Sequence, residues 1–540
     1  MGSTPRIEAL PADQVFQLQC VVKRKPFLAP TNKDKMQNLI VQFRAPRKTN
    51  LLHVNPSSHL RLRFLVFRVN KFWFQFIYFL ILFLLGYLAL KVSKPRSIIG
   101  GESSLFRPKD FDLFFTSVSA ATVSSMSSVE MEVFSNTQLV ILASLMLLGG
   151  EVFTSMLGLQ LQFIRSKVQK PTSSSTTGNS EHAHLAKIGS PHQLELGTLG
   201  HNNPNPNLED DHAKQNTTSS LEPSRINSIK FLATVVLCYL LVVHVVGSTL
   251  ISIYVSLVPS ARDVLKDKGI PIQIFSIFTV ISSFGNCGFI PTNENMIVFI
   301  KNSGLLLLVV PPILLGNTLY APCLRLVVSV LERFTKREDY LLKNTREVGY
   351  LHLLPPLHSS WLVVTVVGFT LVQFILFCSL EWGSNVLSGL SSYRKIVGVL
   401  FQTVNSRHTG ETIVDLSSLS PAILVLFVVM MYLPPYTSFL PVKDGEQHPQ
   451  TCQTVERRRG KVLENIIFSQ LSFLVIFIII VCITERKSMK EDPLNFNVLN
   501  IVIEVTSAYG NVGFSAGYSC ARQLKPDGNC KDKWNGFSGK

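Results

Sequence analysis

Two stretches of the chain repeat one another: Ser282-Ser283-Phe284-Gly285-Asn286-Cys287-Gly288-Phe289 and Ser507-Ala508-Tyr509-Gly510-Asn511-Val512-Gly513-Phe514. Serine, two glycines, asparagine and phenylalanine fall at the same offsets in both, the mark of a repeated structural unit. Glycine admits backbone conformations that turn carbonyl oxygens toward a common axis, and a ring of carbonyls can replace the water around a small cation. The chemistry on offer is ion coordination by backbone oxygen, and the stretches read as pore loops of an ion conductor. Rival chemistries fall away. Gly513-Phe514-Ser515-Ala516-Gly517 has the spacing of a hydrolase elbow, which needs an acid and then a histidine further along, and no histidine follows residue 517. Gly536-Phe537-Ser538-Gly539-Lys540 lacks the spacing and the following hydroxyl of a phosphate-binding loop. With no zinc spacing among nine cysteines and no credible triad, the chain is not read as an enzyme, and no cofactor or resident metal is expected.

Such loops need a membrane scaffold, and the composition supplies one. The chain has 540 residues, 46% of them hydrophobic, and a mean hydropathy of +0.29, too apolar for an ordinary globular protein. Charge-free windows near the roughly 20 residues that span a bilayer run over 72–90, 231–257, 305–324, 361–380 and 466–484. The window 139–164 is interrupted only by Glu151, and 416–441 only by prolines, so both are expected to span as well. The net charge of +16 fits membrane flanks better than nucleic acid. Residues 1–71 carry 13 Lys or Arg against 3 Asp or Glu, which by the positive-inside rule places the N-terminus in the cytoplasm.

The order of span, short semi-polar loop and span recurs, giving an all-α membrane protein of pseudo-symmetric span–loop–span repeats. A basic cytoplasmic extension covers 1–71, and the first repeat 72–165. A linker disordered by composition covers 166–225, and the second repeat 226–335. A cytoplasmic loop at 336–357 leads to the third repeat at 358–441, and a cytoplasmic linker at 442–464 leads to a fourth unit at 465–540 whose second span is missing. Aligning the loops by their final small residue makes Ser125, Gly288, Gly410 and Gly513 equivalent. Four short helices with their negative carboxyl ends converging on one axis would favour a cation. Val123, Ser124, Asn286, Cys287, His408, Thr409, Asn511 and Val512 precede the aligned residues and would supply further carbonyls.

Other residues carry two readings each. Glu151, after Gly149-Gly150, is either an ion ligand or a neutral or paired glutamate. His244 fits a helix–helix hydrogen bond better than a proton sensor. Arg407, His408 and Glu411 could tune the pore mouth by their field, or Arg407 and Glu411 could pair or cap the loop. Pro311-Pro312, Gly316-Asn317 and Pro434-Pro435 are expected to break helices, and in the third unit such a break could form a gating loop. Cys520 and Cys530 lie on the side the topology places outside and are candidates for a disulfide.

The loops also resemble those of a known family. Val123-Ser124-Ser125-Met126, Asn286 to Phe289 with Pro291 to Asn295, Asn405 to Thr412, and Ser507 to Phe514 are similar to the loops of plant high-affinity potassium transporters, the HKT branch of the Trk/Ktr superfamily. The similarity covers roughly 68–540 apart from the linker. It implies a filter of four residues, here Ser125, Gly288, Gly410 and Gly513, and serine in the first loop marks the sodium-selective subfamily. The resemblance therefore implies passive, channel-like sodium transport across the plasma membrane, by a homodimer. A sodium/potassium or potassium transporter of the same fold is the alternative. Family members finish with an eighth span, so the resemblance also leaves room for a non-conducting subunit that regulates full-length relatives.

Overall fold

The computed structural model describes residues 71–96, 108–168, 210–335, 340–437 and 470–524, with helices and no extended β-strand among them. The N-terminal extension, residues 166–209 apart from the end of one helix, and the 442–464 linker lie outside the described residues, as does Cys530.

The first unit comprises α1 (Lys71–Val92), α2 (Asp110–Thr122), α3 (Asn136–Gly149) and α4 (Glu151–Val168). No charge interrupts α1 between its terminal lysines, and it turns Trp73, Ile77, Ile81, Leu85 and Leu88 outward, a surface suited to lipid. The short α2 starts where Asp110 and Asp112 face the positive end of the helix dipole. It docks on α1 through Ser117 Oγ, which donates to Phe83 O at 2.8 Å. A capping box at Ser135 and Gln138 opens α3. The Gln138 amide then reaches Leu90 O and Ser93 O at 3.0 and 3.1 Å, tying the end of α1 to the start of α3.

The second unit is α5 (Asp210–Leu257), α6 (Pro259–Asp267), α7 (Ile272–Gly285), α8 (Ser303–Gly316) and α9 (Tyr320–Thr335). The third is α10 (Pro356–Glu381), α11 (Ser392–Asn405) and α12 (Pro421–Tyr432), and the fourth α13 (Gln470–Thr484) and α14 (Val498–Gly510). Each short helix packs on the span before it: α2 on α1, α7 on α5, α11 on α10 and α14 on α13. Three of them also pack on the second span of the preceding unit: α7 on α3, α11 on α8 and α14 on α12. The units are thus interlocked around the loops.

Three helices, 72–92, 226–257 and 356–381, are long and apolar enough to cross a membrane unbroken. The spans expected at 139–164 and 305–324 are bent pairs instead, by 52° between α3 and α4 and by 80° between α8 and α9. Glycine permits both bends by close approach. A Cβ on Gly149 would stand 1.8 Å from Ala121 O, and one on Gly316 would stand 2.0 Å from Phe284 O.

Several expectations need correction. Pro311-Pro312 does not break α8, which runs through both prolines to Gly316. Two prolines forfeit only two backbone bonds, and packing against α5, α7 and α11 holds the helix in shape. Among the described residues of the expected span 416–441, the α-helix runs from Pro421 to Tyr432, about 18 Å at 1.5 Å per residue, after a short 3-10 turn at Leu416–Ser418. It stops there because Pro434 and Pro435 have no N–H to offer the preceding turn. The linker expected at 166–225 is entered early by α5, which already begins at Asp210.

Candidate functional site

Three of the four loops leave their short helix in the same way. At the end of α2, Ser124 N donates to Ser119 O at 3.0 Å and Val123 N to Ala120 O at 3.3 Å. Cys287 N and Asn286 N repeat the pair after α7, at 2.9 and 3.3 Å, and Val512 N and Asn511 N after α14, at 3.0 and 3.3 Å. This is the Schellman cap, whose pivot must be left-handed. The pivots are Val123 (φ 52°), Asn286 (φ 59°) and Asn511 (φ 53°). Two residues on, Ser125, Gly288 and Gly513 are left-handed again, at φ 65°, 64° and 96°.

Asparagine tolerates that region, whereas a β-branched valine does not, and Val123 sits there at a cost of about 1–3 kcal/mol. Its side chain is buried in the cluster with Ala120, Met146 and Phe278, which offsets the strain. Val123→Ala keeps the strain and loses the burial, so melting of the purified protein should show a loss of about 1–2 kcal/mol. Val123→Asn trades one for the other and should change stability by less than about 1 kcal/mol.

The four aligned residues meet in a closed ring. Ser125 Oγ donates to Asn286 O at 2.9 Å and lies 3.3 Å from Asn511 O, linking the first loop to the second and fourth. A Cβ on Gly288 would stand 1.7 Å from Thr409 O, one on Gly410 2.3 Å from Val512 O, and one on Gly513 2.8 Å from Ser125 Cβ. Each loop therefore touches the next in chain order, and the fourth returns to the first. Val123, Ser125, Cys287, His408, Thr409 and Val512 are buried, while Ser124, Asn286 and Asn511 are half-buried.

The third loop is built differently. The α11 cap at Ser406 is right-handed, and the turn that follows is held by side chains. Asn405 Oδ1 accepts from Thr409 Oγ1 and, at 3.1 Å, from Glu411 N. Gln402 Oε1 accepts from Ile413 N at 3.1 Å. Equivalent straps elsewhere are Ser119, which accepts from Met126 N at 3.1 Å, and Ser507 with Glu504, which accept from Gly513 N at 3.0 Å and Ala516 N at 2.8 Å. Ser119, Gln402 and Glu504 stand outside the sequence motifs; their signal is polar side chains on short helices with little water to face.

Arg407 and Glu411 do not pair. The Arg407 guanidinium lies 5.3 Å from the Phe369 ring and donates to Pro434 O at 2.6 Å and Pro435 O at 3.3 Å. It satisfies carbonyls at the broken end of α12, where the helix dipole favours a cation. Glu411 instead accepts from Ser283 Oγ. His408 places Nδ1 2.6 Å from Val404 O and Nε2 2.8 Å from Thr318 Oγ1, at the α8/α9 bend. A carbonyl can only accept, so Nδ1 carries the proton and Nε2 accepts from the threonine. His244 bonds its own helix, with Nδ1 2.7 Å from Leu240 O, and not a neighbouring one.

Two polar clusters flank the ring. Lys268 bridges Glu132 and, at 2.6 Å, Glu294, and Arg96 Nη1 donates to Lys268 O at 2.9 Å, joining units one and two. Burial lowers the Lys268 pKa, but hydrogen bonds to the two carboxylates outweigh it and the net shift is upward. Beyond the helix bends, Tyr436 OH lies 2.8 Å from His352 Nδ1, Tyr350 OH 2.7 Å from Tyr320 OH and 2.9 Å from Ser155 Oγ. Glu151, with a 68% exposed side chain, stands 3.9 Å from His352 Nε2. These residues tie α4, α9 and the end of α12 together.

Burial lowers the His352 pKa below the ordinary 6.5, and Glu151 only partly opposes it. The unfolded chain then binds the proton more readily. Stability is full above about pH 6.5 and is lost as pH falls through the folded value. Melting of the purified protein from about pH 7.5 down to about pH 5 should show this loss, and His352→Gln should flatten it.

No described cluster of His, Cys, Asp or Glu could hold a resident metal. Cys520 is disulfide-bonded, with its partner outside the described residues. Where the loops meet, backbone carbonyls and the Ser125 hydroxyl form a ring among apolar helices. A family model described as TrkH, cation transport protein, matches residues 97–530. The chain is 50% identical over 477 residues to the cation transporter HKT1;3 of Oryza sativa subsp. japonica, covering 88% of this chain and 86% of that one. It is also 50% identical over 460 residues to the sodium transporter HKT1 of Arabidopsis thaliana, covering 84% and 85%. A comparison with the potassium transporter TrkH from Vibrio parahaemolyticus gives a TM-score of 0.38 at 14% identity, covering 75% of this chain and 70% of that one. The chain belongs to the TrkH family of cation transport proteins, within its HKT branch.

Proposed function

We propose that the four loops form one selectivity filter, with Ser125, Gly288, Gly410 and Gly513 at equivalent positions, and that the chain passes sodium passively and in preference to potassium. The observation that supports this reading most directly is the Ser125 hydroxyl, which donates to Asn286 O at 2.9 Å and lies 3.3 Å from Asn511 O. The serine side chain narrows the ring, which weighs against the larger, less tightly hydrated ion. The relative from Arabidopsis thaliana named a sodium transporter is half identical to this chain, which supports the same choice. Transport would cross the plasma membrane, with the N-terminus in the cytoplasm and two copies in a dimer.

The test is the reversal potential of the current in voltage-clamped cells expressing the chain, with external sodium and potassium exchanged in turn. A potential that follows sodium and ignores potassium is the expected result. One that follows both ions, or potassium alone, overturns the sodium reading and leaves a sodium/potassium or potassium transporter of the same fold.

A further inference from the structure

The residue after each aligned filter position is Met126, Phe289, Glu411 and Phe514. Three are apolar, and the two phenylalanines are buried against their surroundings, Phe514 with its ring 5.3 Å from that of Phe427. The fourth is a carboxylic acid with no exposed surface at all. Its backbone N–H is strapped to Asn405 Oδ1 at 3.1 Å, inside its own unit. Its side chain leaves that unit: Oε1 accepts from Ser283 Oγ, on α7, at 2.5 Å. The other oxygen, Oε2, is buried without a partner. Arg407, the nearest cationic residue in sequence, is engaged with Pro434 O and Pro435 O.

An ionised carboxylate would not be held there without a cation, because burying an unpaired charge costs far more than burying a neutral group. The side chain is therefore of use as a hydrogen-bonding prop. It stands at the closest seam of the ring, where Gly288 approaches the Thr409 carbonyl too tightly for any Cβ. One residue further on, the same two loops are joined again. Thr412 O accepts from Met296 N at 3.0 Å, and Thr412 N donates to Asn295 Oδ1 at 3.3 Å.

We propose that Glu411 is a positioning residue for ion selection, fixing through Ser283 the spacing between the second and third filter strands. It acts on the ion through the carbonyls of those strands and does not touch it. The inference rests on the filter reading above, since a strut between strands matters only if the strands select.

The experiment compares sodium-to-potassium permeability ratios, with surface protein quantified for every variant. Glu411→Ala and Ser283→Ala should each lower the ratio about tenfold, or about 1.4 kcal/mol. The double variant should fall no further than either single one, because both remove the same contact. Glu411→Gln, which keeps the acceptor and the shape, should restore the ratio. Ser283→Ala deletes only a hydroxyl and is the variant that tests the strut if Glu411→Ala fails to reach the surface. A ratio unchanged in Ser283→Ala overturns the strut alone. A Glu411→Gln ratio as low as that of alanine also overturns it, by assigning the effect to charge. An unsubstituted chain without sodium preference overturns the strut together with the sodium reading.

Discussion

Gly288→Ala should abolish cation current while leaving the protein at the cell surface. A Cβ at this position would lie 1.7 Å from the Thr409 carbonyl oxygen, about half the ~3.3 Å at which carbon and oxygen ordinarily meet. The obstacle is backbone, so no side chain can swing aside to relieve it. The residue is also left-handed, at φ 64°, where alanine is strained by a further 1 kcal/mol or so. The second and third strands would have to part, and because Gly288 also lies against Val512 of the fourth loop, the ring cannot part at that seam without losing its shape. Current per surface molecule is the measurement. Wild-type current from Gly288→Ala would mean that the ring described above is not the conducting path.

Ser125→Gly should raise potassium permeability relative to sodium by roughly two- to tenfold. The substitution removes a hydroxyl that engages Asn286 O and approaches Asn511 O, and a glycine accepts the φ of 65° without strain. A net hydrogen bond of about 0.5–1.5 kcal/mol corresponds to that range of permeability. The vacated volume admits a larger ion. The fold should survive, since three of the four units already place glycine here. An unchanged permeability ratio in Ser125→Gly would show that the serine hydroxyl has no part in selection.

The three unbroken spans are legible in the sequence because charge-free length is a one-dimensional property. The bends are less so, since each depends on what the glycine faces. Gly149 turns the chain where its hydrogen meets the Ala121 carbonyl, a contact with no sequence signature. Pro311-Pro312 misleads for the complementary reason: packing supports a helix that local rules would stop. The alignment of Gly288 with Gly513 is visible because both loops keep the asparagine that suits a left-handed cap. Asn405 and Gln402, which do the same task in the third loop with amide side chains, leave no pattern to match. Nor does the Glu411–Ser283 contact, which joins residues 128 positions apart.

The different cap of the third loop bears on how the four copies have diverged. The first, second and fourth share one backbone cap, with left-handed pivots at Val123, Asn286 and Asn511. The third has exchanged that design for private attachments: Arg407 to the end of α12, His408 to the α8/α9 bend, and Glu411 to a neighbouring unit. A repeat that acquires obligations to its neighbours can no longer be replaced by a sibling. The turn of the third loop is thus held by side chains where the other three are closed by backbone hydrogen bonds.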